Sequence, residues 1–119
     1  MARKKQCLLP ETDTECRIAL LTLQDTLHVV GGKWKLVLIS ILRAGKMKFS
    51  ELSREAGISP RILSKELKEM EMNDLVTRTV CNTSPITVEY ELTPYSETLN
   101  EMIITMHEWG KQHREKIIG

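Results

Sequence analysis

The chain's 119 residues make room for one domain rather than two, and a fold of that size buries a sizeable core without metal or disulfide staples. Hydrophobic residues at 41% and charged residues at 28% exclude both a disordered and a membrane-spanning chain, and aromatics at 4% are too sparse to stack on unpaired bases. The net charge of +1 is unevenly spread: residues 33–68 carry nine bases against three acids, and residues 69–119 four bases against nine acids, so one third of the chain is a basic patch suited to phosphate.

The chain starts with an irregular arm over residues 1–14. Its basic Met1-Ala2-Arg3-Lys4-Lys5 is followed by no apolar stretch with a cleavage site, so the arm does not read as a secretion signal and a cytoplasmic location is expected. Cys7, Cys16 and Cys81 cannot all pair within one chain, and none lie at zinc-site spacing, so reduced thiols are expected. Residues 15–30 place Ile18, Leu21, Leu27 and Val30 at helical intervals and stop at Gly31-Gly32. A second helix over 34–42 is expected to turn Trp34, Val37, Leu38, Ile41 and Leu42 inward. A third, over 49–56, takes Ser50 as its cap and buries Phe49, Leu52 and Ala56 before Gly57-Ile58 turns the chain. Ser59-Pro60 then opens a fourth helix, with Leu63, Leu67 and Met70 on one stripe as far as about Asn73. Beyond it the period changes to two: Val76, Arg78 and Val80 share one strand face, and Val88, Tyr90 and Leu92 share another across a polar loop that contains Pro85. Thr93-Pro94 repeats the cap-and-proline device and opens a long last helix whose apolar stripe holds Leu99, Met102, Ile103, Met106, Trp109, His113 and Ile117.

Two short helices joined by a tight glycine-containing turn, with a hairpin after the second, are the parts of a winged helix-turn-helix. The fold is therefore expected to be mainly α with a small β-hairpin wing and additional helices at both ends. With Leu63, Leu67 and Met70 inward, the outward face of the fourth helix carries Arg61, Ser64, Lys65 and Lys68. Arg61, Lys65 and Lys68 stand at i, i+4 and i+7, so they project together, and a helix so charged fits the major groove of DNA. The alternative is that these cations pair along the helix with Glu66, Glu69 and Glu71.

Three ordered stretches resemble the HxlR-type regulators, small dimeric winged-helix proteins of bacteria and archaea within the MarR-like group. They are Gly31-Gly32-Lys33-Trp34-Lys35; Phe49-Ser50-Glu51-Leu52 leading through Gly57-Ile58-Ser59 to Leu63 and Leu67; and the run from Pro85 to Thr93. Trp109-Gly110 fits as well, and the likeness spans roughly residues 21–113. It implies a single domain over 15–119 that binds double-stranded DNA, with a recognition helix at about 59–73, a wing at about 75–92 and a dimerisation helix at about 94–118. The implied DNA-facing residues are Ser59, Pro60, Arg61, Ser64, Lys65 and Lys68 on the recognition helix and Asn82, Thr83 and Ser84 at the wing tip. Lys46 and Lys48 are placed to touch flanking phosphates, and Arg78 either pairs with a carboxylate or reaches a phosphate.

The resemblance also implies a homodimer on a pseudo-palindromic operator, its two recognition helices about 34 Å apart. The dimer face would be Leu20, Leu23 and Leu27 of the first helix with Met102, Ile103, Met106, Trp109 and His113 of the last; the alternative is that this stripe belongs to the monomer core. Members of the family often carry a cysteine where this chain has Leu21, and some use it to sense oxidants; the candidates for redox sensing here are Cys16 and Cys7, the alternative is that the cysteines are ordinary and do not sense, and a small molecule is the other input. No catalytic site is read: His28, His107 and His113 lack metal spacing, no glycine-rich phosphate loop occurs, and no cofactor or metal is implied. A winged-helix module for protein contact is the competing function.

Overall fold

The computed structural model describes residues 13–119, so nearly all of the N-terminal arm, Cys7 included, lies outside the described residues. These fall into two units, the first ending at Gly32 and the second running from Lys33 to Gly119.

The first unit is helix α1, Asp13–Val30. Its end is set by Gly31, whose N–H donates to the Leu27 carbonyl at 2.7 Å and whose position leaves no space for a Cβ against that same oxygen. Ile18, Leu20, Leu21, Leu23 and Leu27 are all more than half exposed.

The second unit opens with α2, Lys35–Leu42, which Trp34 precedes as N-cap. Its buried residues are Lys35, Leu38, Ile39 and Leu42, whereas Val37 is exposed and Trp34 and Ile41 are half-buried. The expected stripe was thus partly out of phase, because a segment with apolar residues on almost every side has no unique amphipathic face. Next come β1, Met47–Lys48, and α3, Phe49–Ala56. Lys48, not Ser50, is the N-cap of α3, and its N–H donates to the Glu51 carboxylate at 2.9 Å. Gly57 stops the helix at φ 71°, a left-handed turn that glycine adopts without strain.

Helix α4, Pro60–Met72, starts as its sequence indicates: Ser59 Oγ accepts the Ile62 N–H at 3.3 Å, and proline stands where no amide partner is needed. Its far end closes by the N–H of Leu75 donating to Met70 and that of Asp74 to Glu71, with Asp74 at φ 60° in the position usually taken by glycine. Strands β2, Val76–Cys81, and β3, Thr87–Leu92, pair antiparallel with Arg78 opposite Tyr90 and Val80 opposite Val88. β1 joins the other edge of β3 through Met47 opposite Tyr90, so the hairpin is part of a three-stranded sheet ordered β1-β3-β2. The loop between β2 and β3 contains a cis Ser84–Pro85 bond.

The last helix is divided. A 3-10 segment, Pro94–Leu99, precedes α5, Asn100–Ile118. Thr93 Oγ1 accepts the Ser96 N–H, while Ser96 Oγ and Thr98 Oγ1 donate to carbonyls three residues back, contacts that suit the tighter turn. Thr93 Oγ1 also donates to the Asp74 carbonyl at 2.6 Å, tying the sheet's end to the turn after α4.

The core of the second unit lies between α2, α3 and α4 and one face of this sheet. Leu38, Ile39 and Leu42 of α2, Leu52 of α3, Leu63, Leu67 and Met70 of α4, and Leu75 are essentially inaccessible to solvent. Each such side chain contributes about 1.5–3 kcal/mol by leaving water, and together they fix which face of α4 points out. Helix α5 has no buried residue.

Candidate nucleic-acid interface

Burial of Leu63, Leu67 and Met70 turns the opposite face of α4 to solvent, and Arg61, Ser64, Lys65 and Lys68 are all exposed on it. Ser59 and Pro60 are exposed at the start of the same helix. The structure thus brings the expected recognition residues onto one accessible surface. Pairing along the helix accounts for one of them: Lys65 Nζ lies 3.5 Å from Glu69, and Arg61 and Lys68 form no ion pair with a carboxylate among the described residues. Ile62 is also exposed on this helix, an apolar group that the charge pattern did not single out.

Glu66 and Glu69 are turned instead toward α2. Lys35 Nζ stands 2.8 Å from Glu66 and 2.7 Å from Glu69 and is buried, so a residue counted in the basic patch is neutralised inside the fold. Burial alone lowers the Lys35 pKa, but hydrogen bonds and charges from Glu66 and Glu69 outweigh it and hold the ammonium above its ordinary range. Glu69 is shifted the other way: the hydrogen bond from Lys35, and then its charge, keep the carboxyl below its ordinary value. Lys35 therefore ties α2 to the inner side of α4 and helps to hold that helix in place. The sequence signal for it was the i, i+3 spacing of Glu66 and Glu69 on the side of α4 toward its buried stripe.

The flanking cations are separated by the fold. Lys48 is exposed at the start of α3, and Lys46 is exposed but 3.8 Å from Glu89. At the wing tip Asn82, Thr83 and Ser84 are exposed, although Thr83 Oγ1 already donates to the Pro85 carbonyl at 2.7 Å. Arg78 pairs with no carboxylate among the described residues. It is exposed on the inner face of the wing and lines one cleft with Lys48 and Ser64.

On the residues read as a dimer face, Leu20, Leu23, Leu27, Met106, Trp109 and His113 are exposed and Met102 and Ile103 are half-buried. Trp109 is 64% exposed and stacks on His113 with ring centres 5.0 Å apart. The thiol expectation needs correction: Cys16 is disulfide-bonded, and Cys81, half-buried at the end of β2, is free. An odd number of cysteines excludes complete pairing but not one bridge. No helix among the described residues is long and apolar enough to cross a membrane.

Comparison with known proteins extends this geometry. The family model described as HxlR-like helix-turn-helix matches residues 29–118. The uncharacterized HTH-type transcriptional regulator YtcD of Bacillus subtilis is 36% identical over 100 residues, covering 83% of this chain and 79% of its own. The crystal structure of YtcD superimposes with a TM-score of 0.75 at 37% identity, over 78% of this chain and 96% of that one. The redox regulator HypR in its reduced form gives a TM-score of 0.75 at 37% identity, over 81% of this chain and 96% of that one.

Proposed function

The chain belongs to the HxlR-like helix-turn-helix family and is a transcriptional regulator of winged helix-turn-helix type; from that premise we propose that it binds double-stranded DNA sequence-specifically as a homodimer. Helix α4 enters the major groove, and the wing lies on the flanking backbone or in the minor groove. The observation that carries this reading is the solvent-exposed row Arg61, Lys65 and Lys68, which faces away from a fully buried Leu63, Leu67 and Met70. Arginine addresses guanine edges, and lysine and serine reach bases or phosphates from such a helix.

One protomer presents one recognition helix, and reading an operator tightly takes two about 34 Å apart. The exposed leucines of α1 and the exposed Met106 and Trp109 of α5 support these helices as the dimer face, since apolar stretches of this extent are rarely left to water. The operator is accordingly a pseudo-palindrome. Oxidation is the input we favour over a small molecule. The disulfide-bonded Cys16 and the likeness to a redox regulator support it, although the family's usual sensing position holds Leu21 here.

The test is binding of the purified protein to duplexes selected from a randomised pool, measured against scrambled duplexes over a range of salt. The expected result is a preference of about 10³-fold or more and an affinity that falls steeply with salt. Equal, weak binding to every duplex would instead favour a protein-contact module.

A further inference from the structure

The cleft shared by Lys48, Ser64 and Arg78 has a volume of about 460 Å3 and opens between the start of α3, the recognition helix and the wing. Its apolar floor includes Phe49 and Tyr90, whose rings lie 6.3 Å apart. Two cations and the hydroxyls of Ser50 and Ser64 face it, and no carboxylate lines it. Arg78 reaches this place by strand parity: with Tyr90 directly across the ladder, its side chain leaves β2 on the sheet's inner face, among Val76, Val80 and Val88. Arg78 is exposed there and has no carboxylate partner among the described residues, so its guanidinium is open to an anion that arrives from outside. The lining suits phosphate: a guanidinium fork for two oxygens, with an ammonium and hydroxyl donors in the same cleft.

We infer that Arg78 and Lys48 together clamp one backbone phosphodiester of the bound DNA in this cleft, an inference that rests on the DNA-binding reading above. Clefts of ~300–1,000 Å3 accept whole small molecules, so a phosphodiester with its flanking sugars has room. The site lies beside the exposed face of α4 and not on it. Its contribution is therefore register and affinity, and base preference remains with α4.

The experiment uses full-length protein with a duplex it selects from a randomised pool and with a scrambled duplex. Arg78→Gln is expected to weaken both by about 3–10-fold, to leave their ratio unchanged, and to flatten the slope of log affinity against log salt by about 0.9 for each protomer bound. A series of single neutral methylphosphonates through the selected duplex is expected to contain a position that weakens wild-type binding by a similar factor and has no further effect on the variant. Arg78→Lys, which keeps the charge, is expected to restore the slope; if thermal unfolding shows that Arg78→Gln has lost its fold, Lys48→Gln, which removes the other cation of the cleft and is expected to give the same losses, takes over both measurements. Unchanged affinity and slope in a folded variant, or a loss confined to the selected duplex, would overturn the inference while leaving the regulator reading intact. So would stabilisation of wild type by inorganic phosphate with no change in DNA affinity on mutation, since the cleft would then serve a free anion. Absence of salt-dependent DNA binding by wild type would overturn both.

Discussion

Lys35 Nζ lies 2.8 Å from the Glu66 carboxylate, and this ion pair fastens α2 to the inner side of α4. Both side chains are largely withdrawn from water, so removing the cation leaves a carboxylate with little to replace it. Lys35→Met, which keeps most of the stem's volume, is expected to destabilise the fold by about 1–3 kcal/mol in denaturant unfolding and to weaken binding to all duplexes alike.

The contact of Lys35 with its second partner, Glu69, sets a pH window. Lys35 titrates above 10.5 in the folded protein, so its contribution is complete below 10.5 and is lost as pH rises through the higher folded value. Glu69 titrates below 4.5 when folded, so its contribution is present above 4.5 and is lost as pH falls through the lower folded value. The stability difference between wild type and Lys35→Met is therefore expected to be flat across neutral pH and to shrink at both extremes. A difference that changes steadily between pH 6 and 8 would contradict the assignment.

Leu67 holds α4 down from the middle of its buried stripe and is fully inaccessible. Leu67→Ala is expected to cost about 2–5 kcal/mol of stability with an unchanged denaturant slope, the signature of a cavity in an otherwise intact core. A cost below 1 kcal/mol would mean that this face of the helix is not packed as described.

Exposed Leu23 and Met106 define the proposed dimer face. Leu23→Glu with Met106→Glu is expected to give monomers by sedimentation and to weaken operator binding by about 10²-fold or more, because the second half-site is no longer engaged in the same complex. A dimer that survives both charges would move the interface elsewhere.

Oxidation as the input predicts that DNA affinity differs between dithiothreitol and diamide treatment and that Cys16→Ser removes the difference. Equal diamide sensitivity in wild type and Cys16→Ser would take Cys16 out of the switch.

Parts of this fold are written plainly in the sequence where several local signals agree. Ser59, Pro60, Leu63, Leu67 and Met70 specify both the start and the phase of α4, and alternation puts Val76, Arg78 and Val80 on one strand face, as the register with Leu92, Tyr90 and Val88 bears out. Other parts depend on partners distant in the chain. The two residues of β1 are too few to show a period, and α2 is apolar on too many sides to reveal its buried stripe. Lys35 reads as one more surface cation until the fold brings it to Glu66, thirty-one positions away. Arg78 was legible in direction but not in company, because the absence of a carboxylate around it is a property of the assembled cleft.

The most direct test of the central claim is the base-pair preference of wild type and Arg61→Ala, measured on the selected duplex and on all its single base-pair variants. With α4 reading the major groove, Arg61→Ala is expected to lose about 1–3 kcal/mol on the selected duplex and to relax discrimination at one position in each half-site, whereas Lys48→Ala weakens every variant equally. An unaltered preference profile and affinity in Arg61→Ala would contradict the placement of this helix in the groove.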